Sequence, residues 1–231
     1  MSRLEATYRK LVVQPPPNYR AHLFYHGLLL VCALTEIFEL ETVFTPTMRH
    51  IVDGLVIFAY TVSFQQIFKS KLLTLGVMSL AIFPYAMDFL AINTGRFDLQ
   101  SFLWGLFHLS MAVLLGHRAM RRPQVLAQDL VDAVNIYVMA GIAFANLYAM
   151  IQTALPGALS YHGGQEPVTF GLIIYYSFMT QTTIGFGDIL PTETFCRAVS
   201  IMQGIFGVLY IAVTIGRLVG LYANGQRSST H

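Results

Sequence analysis

The chain has 231 residues, of which 55% are hydrophobic and 11% charged, with a mean hydropathy of +0.58 and a formal net charge of +2. That is more apolar content than a soluble core requires, and the scattered positive charge gives no footprint for a nucleic-acid partner. Cys32 and Cys196 lie in or beside apolar stretches without metal or disulfide spacing, and no hydrolytic, redox or phosphate-binding constellation appears, so the chain does not read as an enzyme.

Residues 1–20 carry Arg3, Arg9, Lys10, Arg20 and the run Pro15-Pro16-Pro17. The prolines would interrupt a helix, so an interfacial or extended cytoplasmic segment is expected there. It does not read as a cleavable signal, because the apolar run after Arg20 is long enough to span and no small-residue cleavage site follows closely. Six spanning segments are then expected, near 22–43, 50–68, 72–92, 99–119, 129–154 and 195–222, each close to the roughly 20 residues a bilayer requires. Between the fifth and sixth, residues 167–181 are too short to cross and read as a re-entrant helix, with Pro167 in its first turn and its negative C-terminal end turned toward a pore. The fold class predicted is an all-α membrane protein of six transmembrane helices, with a re-entrant pore helix and selectivity filter between the fifth and sixth. The divisions are a cytoplasmic segment 1–20, a four-helix domain 21–122, a pore domain 123–222 and a cytoplasmic tail 223–231. With the N-terminus inside, eleven of the 14 Lys and Arg residues fall at cytoplasmic ends and only Arg49, Arg96 and Arg197 outside. Both termini are then cytoplasmic in a plasma membrane, or the inner membrane of a bacterial cell.

Ionisable groups inside the spans are expensive and often mark function. Asp88 and His108 are open to being an interior polar pair. Glu36, Glu39 and Glu41 crowd the outer end of the first span, as a functional cluster or as an outer acidic rim. His162, before the pore helix, is either a solvated histidine or a titrating one. From Ser101 to Gly116 the fourth span holds no Arg or Lys, so little intrinsic voltage sensing is expected. Pro123 should break the connection 116–132, and Asp129 suits the start of the fifth helix.

The stretch Thr182-Thr183-Ile184-Gly185-Phe186-Gly187-Asp188 organises the rest. Glycines alternating with larger residues let consecutive carbonyls point one way, and such a run can line a pore with oxygens that replace the hydration shell of a monovalent cation. Thr183, Ile184, Gly185, Phe186 and Gly187 are the expected coordinating residues, with the Thr183 hydroxyl as an added oxygen and K+ bound at Thr183 to Phe186. Thr182 and Asp188 flank them; Asp188 at the outer mouth would raise the local cation concentration. Tyr175 and Tyr176 would brace the filter, or serve as ordinary interfacial tyrosines. In the last span Gly207 reads either as a gating hinge or as a packing position, while Gly204, Gly216 and Gly220 read as packing positions. One such segment per chain cannot close a ring of oxygens, so three further copies are expected as partners, with membrane lipids around them and no cofactor beyond the permeant K+.

Thr183-Ile184-Gly185-Phe186-Gly187-Asp188 resembles the selectivity-filter signature of tetrameric potassium channels, and its Ile and Phe are similar to the variant in two-pore-domain potassium channels. Tyr175-Tyr176, Pro191, Arg197 and Gly207 match further positions, over roughly the last quarter of the chain. Six spans with the pore between the last two resemble the voltage-gated-like superfamily, which implies a homotetrameric, passive potassium channel. There are departures. The fourth span lacks the arginine repeat, Thr214-Ile215-Gly216 stands where relatives place kinking prolines, and Met179 cannot make the carboxylate contact to Asp188 that some relatives have. An ion-coupled transporter subunit is the alternative from another class, and a weakly selective or non-conducting homologue a third.

Overall fold

The computed structural model describes residues 19–37, 46–90, 98–120, 127–161 and 168–227. Within them run α1 (Tyr19–Ile37), α2 (Pro46–Phe68), α3 (Lys71–Phe89), α4 (Leu99–Met120), α5 (Ala127–Ala154), β1 (Leu159–Tyr161), α6 (Phe170–Gln181), β2 (Ile189–Pro191) and α7 (Thr194–Arg227). Among the described residues five helices are long and apolar enough to cross a membrane: His50–Phe68, Lys71–Phe89, Leu99–Met120, Gln128–Ala154 and Thr194–Arg217. α1 contributes the shorter apolar stretch Leu23–Ile37. The rest of the first expected span, 38–43, lies outside the described residues, as do Glu39, Glu41, Pro123, His162 and Pro167.

Local chemistry sets the ends of these helices. Between α2 and α3 only Lys69 and Ser70 intervene. Lys69 takes a left-handed φ of 55°, and the Ser70 hydroxyl caps α3 by accepting from the Leu73 amide at 3.3 Å. The two helices therefore form a tight antiparallel hairpin. Asp129 falls in the first turn of α5, where the helix dipole favours a carboxylate. The pore-like helix α6 starts at Phe170, later than the 167 expected from sequence. Its cap is Thr169, whose hydroxyl accepts from the Leu172 amide at 3.4 Å.

Two apolar cores share α5. The first holds Leu29 of α1, Tyr60 and Phe64 of α2, Phe107 and Met111 of α4, and Met139 and Ile142 of α5. The second joins Tyr148 of α5 to Leu159, Ile173, Tyr176, Ile189 and Cys196. α4 packs most extensively along α5 of the same chain, so the expected four-helix domain leans directly on the helix that backs α6. In a bilayer this contact is held by close packing rather than by expulsion of water.

The chain is not wholly helical. β1 pairs antiparallel with β2, with Leu159 opposite Pro191 and Tyr161 opposite Ile189. Three residues per strand are too few to leave a period in the sequence. The ladder ties the chain before α6 to the chain after the glycine-rich stretch, fixing both ends of the loop between them.

Candidate functional site

α6 ends in a hydrogen-bonded cap that turns the chain into the glycine-rich stretch. The Thr183 amide donates to Thr180 O at 3.1 Å and the Ile184 amide to Met179 O at 3.0 Å, the pair of bonds that closes a helix through a left-handed residue. Glycine usually occupies that left-handed position. Here it is Thr183, at φ 60°, and Gly185 and Gly187 follow at 52° and 79°. For a β-branched residue this conformation is costly, and such strain collects at functional sites.

The direction of the carbonyls follows from the same bonds. In a planar trans peptide each C=O points opposite to the N–H of the next residue. The Thr183, Ile184 and Gly185 amides all donate back to the end of α6, the last at 3.3 Å to Met179 O. The carbonyls of Thr182, Thr183 and Ile184 therefore point away from α6, on one side of the strand. The left-handed φ recurs at alternate positions as far as Gly187. Thr182 itself holds the turn, its hydroxyl donating to Phe178 O at 2.6 Å. Ile184 and Phe186 are 53% and 72% exposed on the isolated chain. Large apolar side chains so exposed ask for a cover.

Behind this stretch lies a buried polar network that sequence reasoning missed. Gln203 of α7 is fully buried. Its Oε1 accepts from the Tyr148 hydroxyl at 2.9 Å. Its Nε2 faces Ser177 Oγ at 2.7 Å, Ser177 O at 3.1 Å and Gln181 Oε1 at 3.2 Å. Ser177 in turn donates to Gly141 O at 2.7 Å. Gln181 donates through Nε2 to Tyr137 O at 2.7 Å, and its carbonyl accepts from the Tyr137 hydroxyl at 3.1 Å. The signal was present as Ser200, Gln203 and Tyr210, polar residues recurring at spacings of three and seven on an apolar helix.

The expected support residues divide by role. Tyr176 braces α6 against its neighbours: its hydroxyl is 2.6 Å from Ser200 Oγ and its ring lies edge-on to Tyr148 at 5.1 Å between centroids. Tyr175 faces the loop instead. Partial desolvation, and then the Asp188 carboxylate beside it, raise its hydroxyl above the ordinary tyrosine value. Tyr175 thus stands at Asp188, where Met179 supplies no carboxylate. Asp188 also accepts from the Ile189 amide at 3.1 Å, and Arg197 donates to Pro191 O at 3.0 Å. Gly207 sits so close to α6 that a Cβ would lie 1.9 Å from Gln181 O. Packing within one chain does not explain Gly204 or Gly216: a Cβ at Gly204 would meet Thr180 O only at 3.9 Å, and one at Gly216 would meet nothing within 4 Å.

In the four-helix region Asp88 and His108 are not partners. His108 Nε2 lies 3.1 Å from Glu36, which also accepts from the Tyr60 hydroxyl at 3.0 Å, whereas Asp88 lies 3.8 Å from His50 Nδ1. Glu36 is therefore tied to α2 and α4 rather than standing free on an acidic rim. As the last residue but one of α1 it turns its carboxylate inward, which helix periodicity alone did not separate from Glu39 and Glu41.

Comparison with curated proteins and with solved structures finds no match. A family model described as "Ion channel" matches residues 135–224, which run from α5 through α6, the glycine-rich stretch and most of α7. Together with the apolar helices, that match supports an ion channel of the potassium-channel-like type in a membrane-embedded, multi-pass protein.

Proposed function

We propose that the chain is one subunit of a homotetrameric, potassium-selective channel of a plasma membrane, with six spans per subunit, both termini cytoplasmic and no strong voltage dependence. The observation that carries this reading is the alternation of left-handed residues at Thr183, Gly185 and Gly187, with carbonyls turned away from the pore helix. In four copies about one axis, the carbonyls of Thr183, Ile184, Gly185, Phe186 and Gly187 form successive oxygen rings that replace the hydration shell of K+. The Thr183 hydroxyl adds oxygens at the inner end. The C-terminal dipole of α6 favours a cation on the axis, and Asp188 concentrates cations at the outer mouth. Ion channels of this kind assemble from several copies, and the exposed Ile184 and Phe186 acquire neighbours in such an assembly. Opening swings the lower part of α7 about Gly207, below its contact with Gln181.

The test is flux from liposomes under a cation gradient, with K+ or Na+ as the only permeant ion. The native protein is expected to pass K+ and not Na+, and Gly185→Asp to pass neither, because the added carboxylate obstructs the rings and glycine alone suits that φ without strain. Equal flux of both cations would exclude selectivity. Flux dependent on a co-transported ion would favour a transporter subunit.

A further inference from the structure

Resting on the channel reading above, we propose that Gln203 is a positioning residue for the filter: its carboxamide fastens α7 to the C-terminal half of the pore helix and so sets how strictly the oxygen rings discriminate between cations. Four positions on α7, namely Ser200, Gln203, Gly207 and Tyr210, follow one another at spacings of three and four and so lie along one face. Each meets the framework around α6. Ser200 meets Tyr176, Gln203 meets Ser177 and Gln181, Gly207 meets the Gln181 carbonyl, and Tyr210 donates to Ala133 O of α5 at 2.7 Å.

Gln203 is the one of the four whose side chain bonds to both Ser177 and Gln181 of the pore helix. Hydrogen-bond accounting fixes its orientation. Oε1 accepts from the Tyr148 hydroxyl at 2.9 Å, closer than that hydroxyl's other acceptor, Ser200 Oγ, at 3.3 Å, and the two Nε2 protons face three oxygens, on Ser177 and Gln181. Ser177 Oγ already donates to Gly141 O, so it must accept from Gln203. Gln181 donates to Tyr137 O, so its Oε1 must also accept. A carboxylate at 203 would face these acceptors with no proton, and an apolar side chain would strand them in a low-dielectric interior, where an unpaired polar group is most costly.

The consequence reaches the filter through Gln181. That residue is the last of α6, and its neighbours Thr182 and Thr183 form the left-handed turn that aims the first carbonyls. Three side-chain or backbone contacts converge on it: Gln203 on its Oε1, Tyr137 on its carbonyl, and Gly207 against that same carbonyl. Movement of α7 at position 203 therefore displaces the foundation of Thr183, even though Gln203 touches no permeating ion. The same bond places a second control point above the Gly207 pivot, at the filter itself.

The test measures reversal potentials under bi-ionic K+ and Na+ for the native channel, Gln203→Leu, Ser177→Ala and the double variant. A permeability ratio is independent of how many channels fold, so a merely structural loss lowers current without moving it. Gln203→Leu is expected to raise the Na+ to K+ ratio by at least about fivefold, the equivalent of one lost buried hydrogen bond. Ser177→Ala should shift it in the same direction by less, and the double variant should match Gln203→Leu, because Gln203→Leu already removes the bond that the Ser177 hydroxyl makes to it. If Gln203→Leu yields no assembled protein, a shift in Ser177→Ala supports the proposal and an unchanged ratio overturns it. A selective native channel whose variants all keep the native ratio would sink the role of Gln203 and leave the channel reading standing. A native protein without K+ selectivity would sink both.

Discussion

Thr183 carries the sharpest conflict between local preference and observed conformation. A left-handed backbone costs a β-branched residue about 1–2 kcal/mol, offset in part by the conformational entropy glycine would lose on folding. Thr183→Gly is accordingly expected to leave the melting temperature of the purified protein unchanged or raised, while the loss of the hydroxyl weakens K+ over Na+ discrimination. A clear fall in melting temperature would show that Thr183 is not strained. A second residue-scale prediction concerns His26 of α1 and Asp132 of α5. Both are fully buried and in direct contact, and Asn135 donates to the His26 carbonyl at 3.0 Å. Removing one member of a buried pair leaves the other without compensation and costs about 3–5 kcal/mol. Asp132→Leu should therefore melt well below the native protein, and His26→Leu with Asp132→Leu should recover most of the loss. Equal destabilisation by single and double variants would mean that the two residues are not coupled.

At the scale of elements, the five long apolar helices were legible because each is continuous and bounded by polar residues, so length and hydropathy alone set their positions to within a few residues. The start of α6 was not, since Thr169 competes with Pro167 for the first turn and only the hydroxyl's bond to Leu172 decides. The β1–β2 ladder is too short for any pattern. The left-handed turns could be read from Gly185 and Gly187, but the buried bonds of Ser177, Gln181 and Gln203 behind them could not. Which tyrosine meets Asp188, and which face of α7 meets α6, depends on how helices pack, a matter of three-dimensional register rather than composition. Gly207 shows both readings in one residue: sequence suggested flexibility, and the structure adds a close approach to Gln181. The element-scale prediction contrasts two glycines of α7. Gly207→Ala forces a Cβ into the Gln181 carbonyl and should destabilise by about 1–3 kcal/mol, whereas Gly216→Ala meets nothing within the chain and should gain up to about 1 kcal/mol of helix propensity. Thermal unfolding of the two purified variants checks the order, and a Gly207→Ala protein as stable as native would mean that α7 does not hold that contact.

Among the described residues, α5 is the element through which the first four helices share their packing with α6 and α7. α4 lies along it on one side, α1 is pinned to it by His26 and Asp132, and α6 and α7 are bonded to it through Tyr137, Gly141, Tyr148 and Ala133. The first four helices thus share their packing with α6 and α7 mainly through one helix, α5. The account as a whole rests on four chains bringing their Thr183 to Gly187 carbonyls around one axis. Its most direct test is the anomalous density of thallium, a potassium surrogate, in a structure of the assembled protein determined with thallium in place of potassium. The account predicts density on a fourfold axis, in successive sites ringed by the carbonyls of Thr183, Ile184, Gly185 and Phe186. Thallium bound away from that axis, or an assembly without fourfold symmetry, would contradict it.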